Sequence, residues 1–240
     1  MPLGQIIRDL REKRRLKQGD LAHSIGVSPQ AVSKWERNEN DPDLPALVKL
    51  ARLFGVSTDC LLGVNDPKPG TVEATVMATS IRNFARKSHA LSAPQLAEWA
   101  NGIFFHLTEA ALKQDGIPVK YVGDGFLCFF SGPGHAERAV AAARHARRVI
   151  QLPELVIALH AGDIYVGSAG HPDYSSRDIC GETVNLAFLV MDAVGTHCAS
   201  GMGATETVAA ALGAKSGLKK TTNYYVRRAR QSIKLYEVTP

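Results

Sequence analysis

Between Gln18 and Asn38 the chain reads Gln-Gly-Asp-Leu-Ala-His-Ser-Ile-Gly-Val-Ser-Pro-Gln-Ala-Val-Ser-Lys-Trp-Glu-Arg-Asn, and its polar residues are spaced to meet a polyanion. Leu21, Ala22 and Ile25 put small and apolar groups on the inner face of one helix. Gly26 follows where a tight turn needs a positive φ. Ser28 can cap a second helix, and Pro29 suits its first position, where an N–H would have no partner anyway. On that second helix Val32 and Trp35 face inward, leaving Gln30, Ala31, Ser33, Lys34 and Arg37 outward. Polar side chains on the N-terminal half of such a helix can reach base edges in a DNA groove, while flanking donors hold phosphates. Gln18, opening the preceding helix, is placed to bind a backbone phosphate. The expected DNA-contacting set is Gln18, Ser28, Gln30, Ala31, Ser33, Lys34, Arg37 and Asn38. A helical bundle with ordinary surface polars is the plainer alternative.

This segment resembles the Cro/repressor-type (XRE family) helix-turn-helix regulators over residues 3–63. The resemblance implies double-stranded operator DNA as partner. It also implies a dimer whose half-sites lie one helical turn (~34 Å) or a multiple apart.

A second set of polar residues lies further along. Lys120-Tyr-Val-Gly-Asp-Gly-Phe-Leu127 runs into an apolar stretch, so Gly123-Asp124-Gly125 is expected at a hairpin tip. Ile157-Ala-Leu-His-Ala-Gly162 reads as a strand leading to Gly167-Ser-Ala-Gly170. Asp178-Ile-Cys-Gly-Glu-Thr-Val-Asn185-Leu-Ala187 then starts a helix.

In this order and spacing, these segments resemble the class III adenylyl/guanylyl cyclase catalytic domain over residues 72–240. The resemblance implies a ferredoxin-like α+β fold, a two-fold homodimer, and a composite site in which two aspartate-bound metals activate a ribose hydroxyl. It assigns Asp124 to the second metal aspartate, Lys120 and Asp178 to the pair that recognises adenine, and Asn185 to ribose orientation. Each has a plainer alternative: a turn residue for Asp124, a salt bridge for Lys120 and Asp178, a helix cap for Asn185.

Two positions depart from the pattern. Ser80 stands where the family has its first metal aspartate, and no Asp occurs between Asp66 and Asp115 to replace it. Leu189 stands where the family has its transition-state arginine, and it has no donor for phosphate charge. Losing one preorganised stabiliser costs about 3–4 kcal/mol of activation energy, so no meaningful cyclase turnover is expected and no catalytic residue is assigned. Nucleotide binding is a separate matter, because the base-reading pair remains. Arg82, near the missing aspartate, could supply a phosphate contact, or could simply be solvated. No cofactor is required. The expected ligand is a purine nucleotide (ATP, dATP or cyclic AMP), with or without magnesium. A DNA-tethered active cyclase and a purely dimerising C-terminal domain are the competing readings.

The elements that must position these residues form two halves. Val64-Asn-Asp-Pro-Lys-Pro-Gly70 cannot continue a helix, which sets a helix-turn-helix domain at 1–63, a linker at 64–71 and a sensing and dimerisation domain at 72–240. Upstream, about five short helices are expected. Downstream, apolar runs at 72–78, 117–130 and 154–168 alternate with helical stretches at 94–115 and 134–151, as in a sheet covered by helices. The fold class is therefore multidomain, an all-α bundle followed by a ferredoxin-like α+β domain.

Composition sets outer bounds. Of 240 residues 45% are hydrophobic and 21% charged, with a net charge of +5 that suits a polyanionic partner without proving one. No apolar run approaches the ~18 residues of a membrane span, so a cytoplasmic protein with no membrane partner is expected. Cys60, Cys128, Cys180 and Cys198 form no CxxC pair and are expected as reduced thiols. The stretch from Lys215 to Lys234 holds seven Lys/Arg and no acid, suiting either a charged sheet edge or a surface lying over DNA.

Overall fold

A computed structural model describes residues 2–56, 58–63, 70–170, 176–213 and 217–240. It divides into two compact units, Met1–Gly70 with Val166–Asp178, and Thr71–Tyr165 with Ile179–Pro240. Of the expected linker, residues 64–69 lie outside the described residues, and Gly70 already opens the first strand.

Five helices build the N-terminal part: α1 (Leu3–Lys13), α2 (Gln18–Ile25), α3 (Pro29–Glu36), α4 (Leu44–Phe54) and α5 (Thr58–Leu61). Their ends carry the expected local chemistry. Ser28 Oγ accepts the Ala31 N–H at 3.2 Å, and Asp43 accepts the Ala46 N–H at 2.8 Å. Gly26 closes α2 at φ 75°, a conformation that favours glycine. The stripes so positioned meet in one core of Ile7, Leu21, Ile25, Val32, Trp35, Leu50 and Phe54. Each fully buried large side chain contributes about 1.5–3 kcal/mol there.

The remaining elements are β1 (Gly70–Ile81), α6 (Phe84–Ala90), α7 (Ala93–Leu112), β2 (Ile117–Val122), β3 (Gly125–Ser131), α8 (His135–Val149), β4 (Leu155–Ala169), β5 (Ser176–Cys180), α9 (Glu182–Leu189), α10 (Met191–His197), β6 (Met202–Thr205), α11 (Glu206–Leu212), β7 (Lys219–Val226) and β8 (Gln231–Glu237). The strands form one sheet in the order β2-β3-β1-β4-β6-β8-β7, with β5 paired to β4. Its first four strands, with α7 and α8 as crossovers, are the expected ferredoxin-like βαββαβ arrangement. β6 joins β4 in parallel, and β8 and β7 extend the sheet antiparallel.

The near-continuous apolar runs of β3 and β4 arise because these strands are buried on both faces. Phe126, Cys128, Phe130, Leu155, Ile157 and Leu159 pack with α7 and α8. Val156 and Ala158 point the other way and pack with Leu186 of α9, Val194 of α10 and Val190 between them, and with Ile233 and Leu235 of β8. The alanines of α8 at 136, 139, 142, 143 and 146 are all buried.

Among the described residues, no helix is long and apolar enough to cross a membrane. Cys128, Cys180 and Cys198 are free thiols, while the side chain of Cys60 lies outside the described residues.

Candidate functional site

In the first unit the outer face of α3 carries unspent hydrogen-bonding capacity. Val32, Trp35 and Glu36 are buried, whereas Gln30 and Lys34 are exposed. Among the described residues neither Gln30 nor Lys34 makes a side-chain hydrogen bond. Ala31 and Ser33 are half-buried beside them. Ser28 uses an oxygen lone pair as cap, which leaves its hydroxyl proton available to an acceptor outside the chain.

Other members of the predicted set are held from within. Arg37 donates to both carboxylate oxygens of Glu39, at 2.7 and 3.0 Å, and to Ser33 Oγ at 3.0 Å. Asn38, at φ 57°, accepts the Gly4 N–H on Oδ1 at 2.9 Å and so ties the end of α3 to α1. Gln18 is half-buried and donates from Nε2 to Glu36 Oε2 at 2.8 Å, which fixes the start of α2 against α3.

Glu36, outside the expected DNA-contacting set, organises this region. Arg11 reaches it through Nε at 2.6 Å and Nη2 at 3.0 Å, with side-chain exposures of 11% for Arg11 and 4% for Glu36. Burial alone would push the Glu36 carboxyl up, but the hydrogen bonds from Arg11 and Gln18 and the Arg11 charge hold it below its ordinary value. The Arg11 guanidinium is shifted up in turn, chiefly by its hydrogen bond to Glu36. The signal was present in the sequence: Glu36 follows Val32 at helical spacing, on the inner face with Trp35, and a carboxylate there requires a cation.

In the second unit, Asp124 lies in the two-residue turn between β2 and β3, since Val122 pairs with Gly125. This turn is pressed against the end of β1, where a Cβ on Gly125 would collide with the Thr79 carbonyl oxygen. The close approach brings Ser80 and Asp124 together. Ser80 Oγ donates to Asp124 Oδ2 at 2.7 Å, and the Ile81 N–H donates to the same oxygen at 2.9 Å. Ser80 is thus adjacent to Asp124, and its hydroxyl is spent on that carboxylate.

The remaining positions are distributed as follows. Lys120 is exposed on β2, and Asp178 is half-buried on β5. Asn185 is exposed in the second turn of α9 and does not cap it, because Gly181 holds the N-cap position. Leu189 is half-buried and packs against the cluster formed by α9, α10 and β8. The Arg82 guanidinium donates to the Gly195 carbonyl at 2.7 Å. His160 is buried and shares a hydrogen bond with Thr205 Oγ1 at 2.8 Å, and burial depresses its pKa to about 4. Among the described residues, no group of three or more His, Cys, Asp or Glu is placed to hold a metal ion.

Comparison with known proteins bears on two parts of the chain. Residues 7–59 match the helix-turn-helix family HTH_3. A 66-residue stretch is 36% identical to the HTH-type transcriptional regulator ImmR of Bacillus subtilis, covering 28% of this chain and 52% of that protein. Over 89 residues the chain is 34% identical to repressor protein C2 of Salmonella phage P22, covering 37% of this chain and 38% of that one. The chain thus spans about half the length, or less, of these two relatives.

Among solved structures, the adenylyl cyclase CyaB from P. aeruginosa aligns with 72% of this chain and 96% of its own, with a TM-score of 0.64 and 23% identity. The guanylate cyclase domain of RhGC from Catenaria anguillulae, in complex with GTP, aligns with 71% and 98%, with a TM-score of 0.62 and 21% identity. A helix-turn-helix domain of the XRE type is followed by a domain with the fold of the class III cyclases.

Proposed function

Because an XRE-type helix-turn-helix domain and a class III cyclase fold share this chain, we propose that it is a dimeric DNA-binding transcriptional regulator, acting as a repressor. In this reading its cyclase-fold domain binds a purine nucleotide without cyclising it. The observation that carries the DNA-binding part is the outer face of α3, where Gln30 and Lys34 are exposed without internal hydrogen bonds while Val32, Trp35 and Glu36 lock the helix from behind. Gln30 reads base edges, and Lys34 and the Ser28 hydroxyl contact flanking phosphates. Arg37 and Asn38 act as positioning residues through Glu39 and Gly4.

The absence of turnover is supported by the Ser80–Asp124 pair. A two-metal site needs more than one carboxylate, and here Asp124 Oδ2 already accepts two hydrogen bonds. These residues do not fit a pair of divalent cations. Lys120 and Asp178 read the adenine edge, Asn185 orients the ribose, and two-fold pairing of this domain supplies the dimer. The nucleotide must favour one spacing of the two recognition helices over another, or DNA affinity does not change.

Selection of tight binders from a random duplex pool, followed by titration with and without ATP, tests the reading. Recovery of an inverted repeat whose affinity changes with nucleotide supports it. Absence of any enriched sequence overturns it, and an inverted repeat indifferent to every purine nucleotide reduces the C-terminal domain to a dimerising scaffold.

A further inference from the structure

The hairpin formed by β7 and β8 carries cations that neither the fold nor the proposed nucleotide site uses. Its inner face is apolar: Val226, Ile233 and Leu235 are buried in the cluster with Val156, Ala158 and Val194. Its outer face is polar, with Asn223 opposite Lys234 and Tyr225 opposite Ser232, all four exposed. The last paired residues are Val226 and Gln231, and the turn between them is Arg227-Arg228-Ala229-Arg230. All three arginines are exposed.

Guarding a sheet edge explains only part of this charge. β7 is the terminal strand, and Lys219 and Lys220 along it fit that role. The arginines lie beyond the last pair of the ladder, where there is no edge to guard. Arg230 adopts φ 51°, in the left-handed region that favours glycine or asparagine, so turn geometry does not account for arginine there. Three like charges within four residues also repel one another. Among the described residues no ion pair involves Arg227, Arg228 or Arg230, so none neutralises this turn. Two carboxylates touch the other strand: Glu206 accepts the Lys234 N–H at 2.7 Å, and Glu182 accepts from Gln231 at 3.5 Å.

We infer that this hairpin is a second nucleic-acid contact, independent of α3, which takes the phosphate backbone of duplex DNA without reading its sequence. Guanidinium groups donate to phosphate oxygens in bidentate fashion, and the exposed Asn223, Tyr225 and Ser232 add uncharged donors of the kind that contact phosphates.

The test uses the full chain with α3 disabled by Gln30→Ala and Lys34→Ala, so that failure of sequence recognition cannot imitate failure of the hairpin. Binding to a random-sequence duplex of about 30 base pairs is followed by fluorescence anisotropy between about 50 and 200 mM salt. Each lost phosphate contact makes the slope of log K against log salt shallower by about 0.9. Arg227→Ser with Arg228→Ser and Arg230→Ser should reduce the slope by about 2–3 units, while the corresponding triple Lys variant retains it. An unchanged slope in the Ser variant overturns the inference. So does equal loss in the Ser and Lys variants, or binding to phosphatidylserine vesicles that depends on these arginines while DNA binding does not.

Discussion

The outer face of α3 and the junction of β1 with the β2–β3 turn are both polar, but they dispose of their polarity in opposite ways. On α3, Gln30 and Lys34 face outward without side-chain hydrogen bonds, while Glu36 on the buried face accepts from Arg11 and Gln18. At the strand junction, Ser80 and the Ile81 N–H are spent on Asp124. The first arrangement presents donors to an outside partner, and the second satisfies itself.

The largest expected effect strikes the support of α3. Arg11→Ala strands the Glu36 carboxylate in a buried position and should cost about 3–5 kcal/mol in urea unfolding at neutral pH. Converting both partners to apolar residues should recover most of that loss. Because the Glu36 pKa is depressed on folding, its contribution is complete above the unfolded value of about 4.3 and is lost as pH falls through the folded value below it. If Arg11→Ala leaves both stability and this acid sensitivity unchanged, α3 is not held as described.

His160 gives the second unit a comparable test of internal satisfaction. Its pKa falls to about 4 on burial, so the neutral form is favoured in the folded state. Stability is complete above about 6.5, and about 3 kcal/mol is lost as pH drops from there towards 4. His160→Gln should flatten that part of the profile. A profile identical to that of the parent would place the acid sensitivity elsewhere.

Opening the contrast at α3 itself, Gln30→Ala and Lys34→Ala should each leave stability within about 0.5 kcal/mol and weaken DNA binding by about 1–3 kcal/mol. The loss for Gln30 should be confined to specific sequence, whereas that for Lys34 should be uniform and reduce the salt slope by about one. Equal effects of the two on random duplex would deny Gln30 a reading role.

The smallest effect concerns the closed junction. Ser80→Asp puts a second carboxylate against Asp124, which raises the pKa of one of them and destabilises by about 1–2 kcal/mol. Manganese should reverse that loss in thermal unfolding, and still yield no cyclic nucleotide while Leu189 remains. Failure of manganese to rescue would show that the junction cannot take a cation even with both carboxylates present.

Much of this was legible in the sequence, for identifiable reasons. The helix-turn-helix is written locally, in Gly26, Ser28, Pro29 and a short apolar stripe, and the hairpin tip at Asp124 is written in its flanking glycines. The strand order beyond β4 was not accessible, since β6, β8 and β7 pair through contacts far apart in the chain. Side-chain pairings were hidden for a similar reason. Arg37 and Glu39 are two residues apart and meet only because α3 ends at Glu36. The Arg82–Gly195 and Arg11–Glu36 contacts join distant segments. Asn185 reads as a ribose contact or a helix cap, and only the structure shows that the helix begins at Gly181.

The central claim is that the cyclase-fold domain recognises a nucleotide it does not turn over. The most direct measurement is thermal unfolding of the purified chain against a panel of purine nucleotides, with and without magnesium, beside Asp178→Ala. A site-specific ligand at 100 times its Kd should stabilise the fold by about 2.7 kcal/mol. The account predicts a shift with an adenine nucleotide that survives removal of magnesium and disappears in Asp178→Ala. No shift with any purine nucleotide, or a shift that Asp178→Ala leaves untouched, would contradict it.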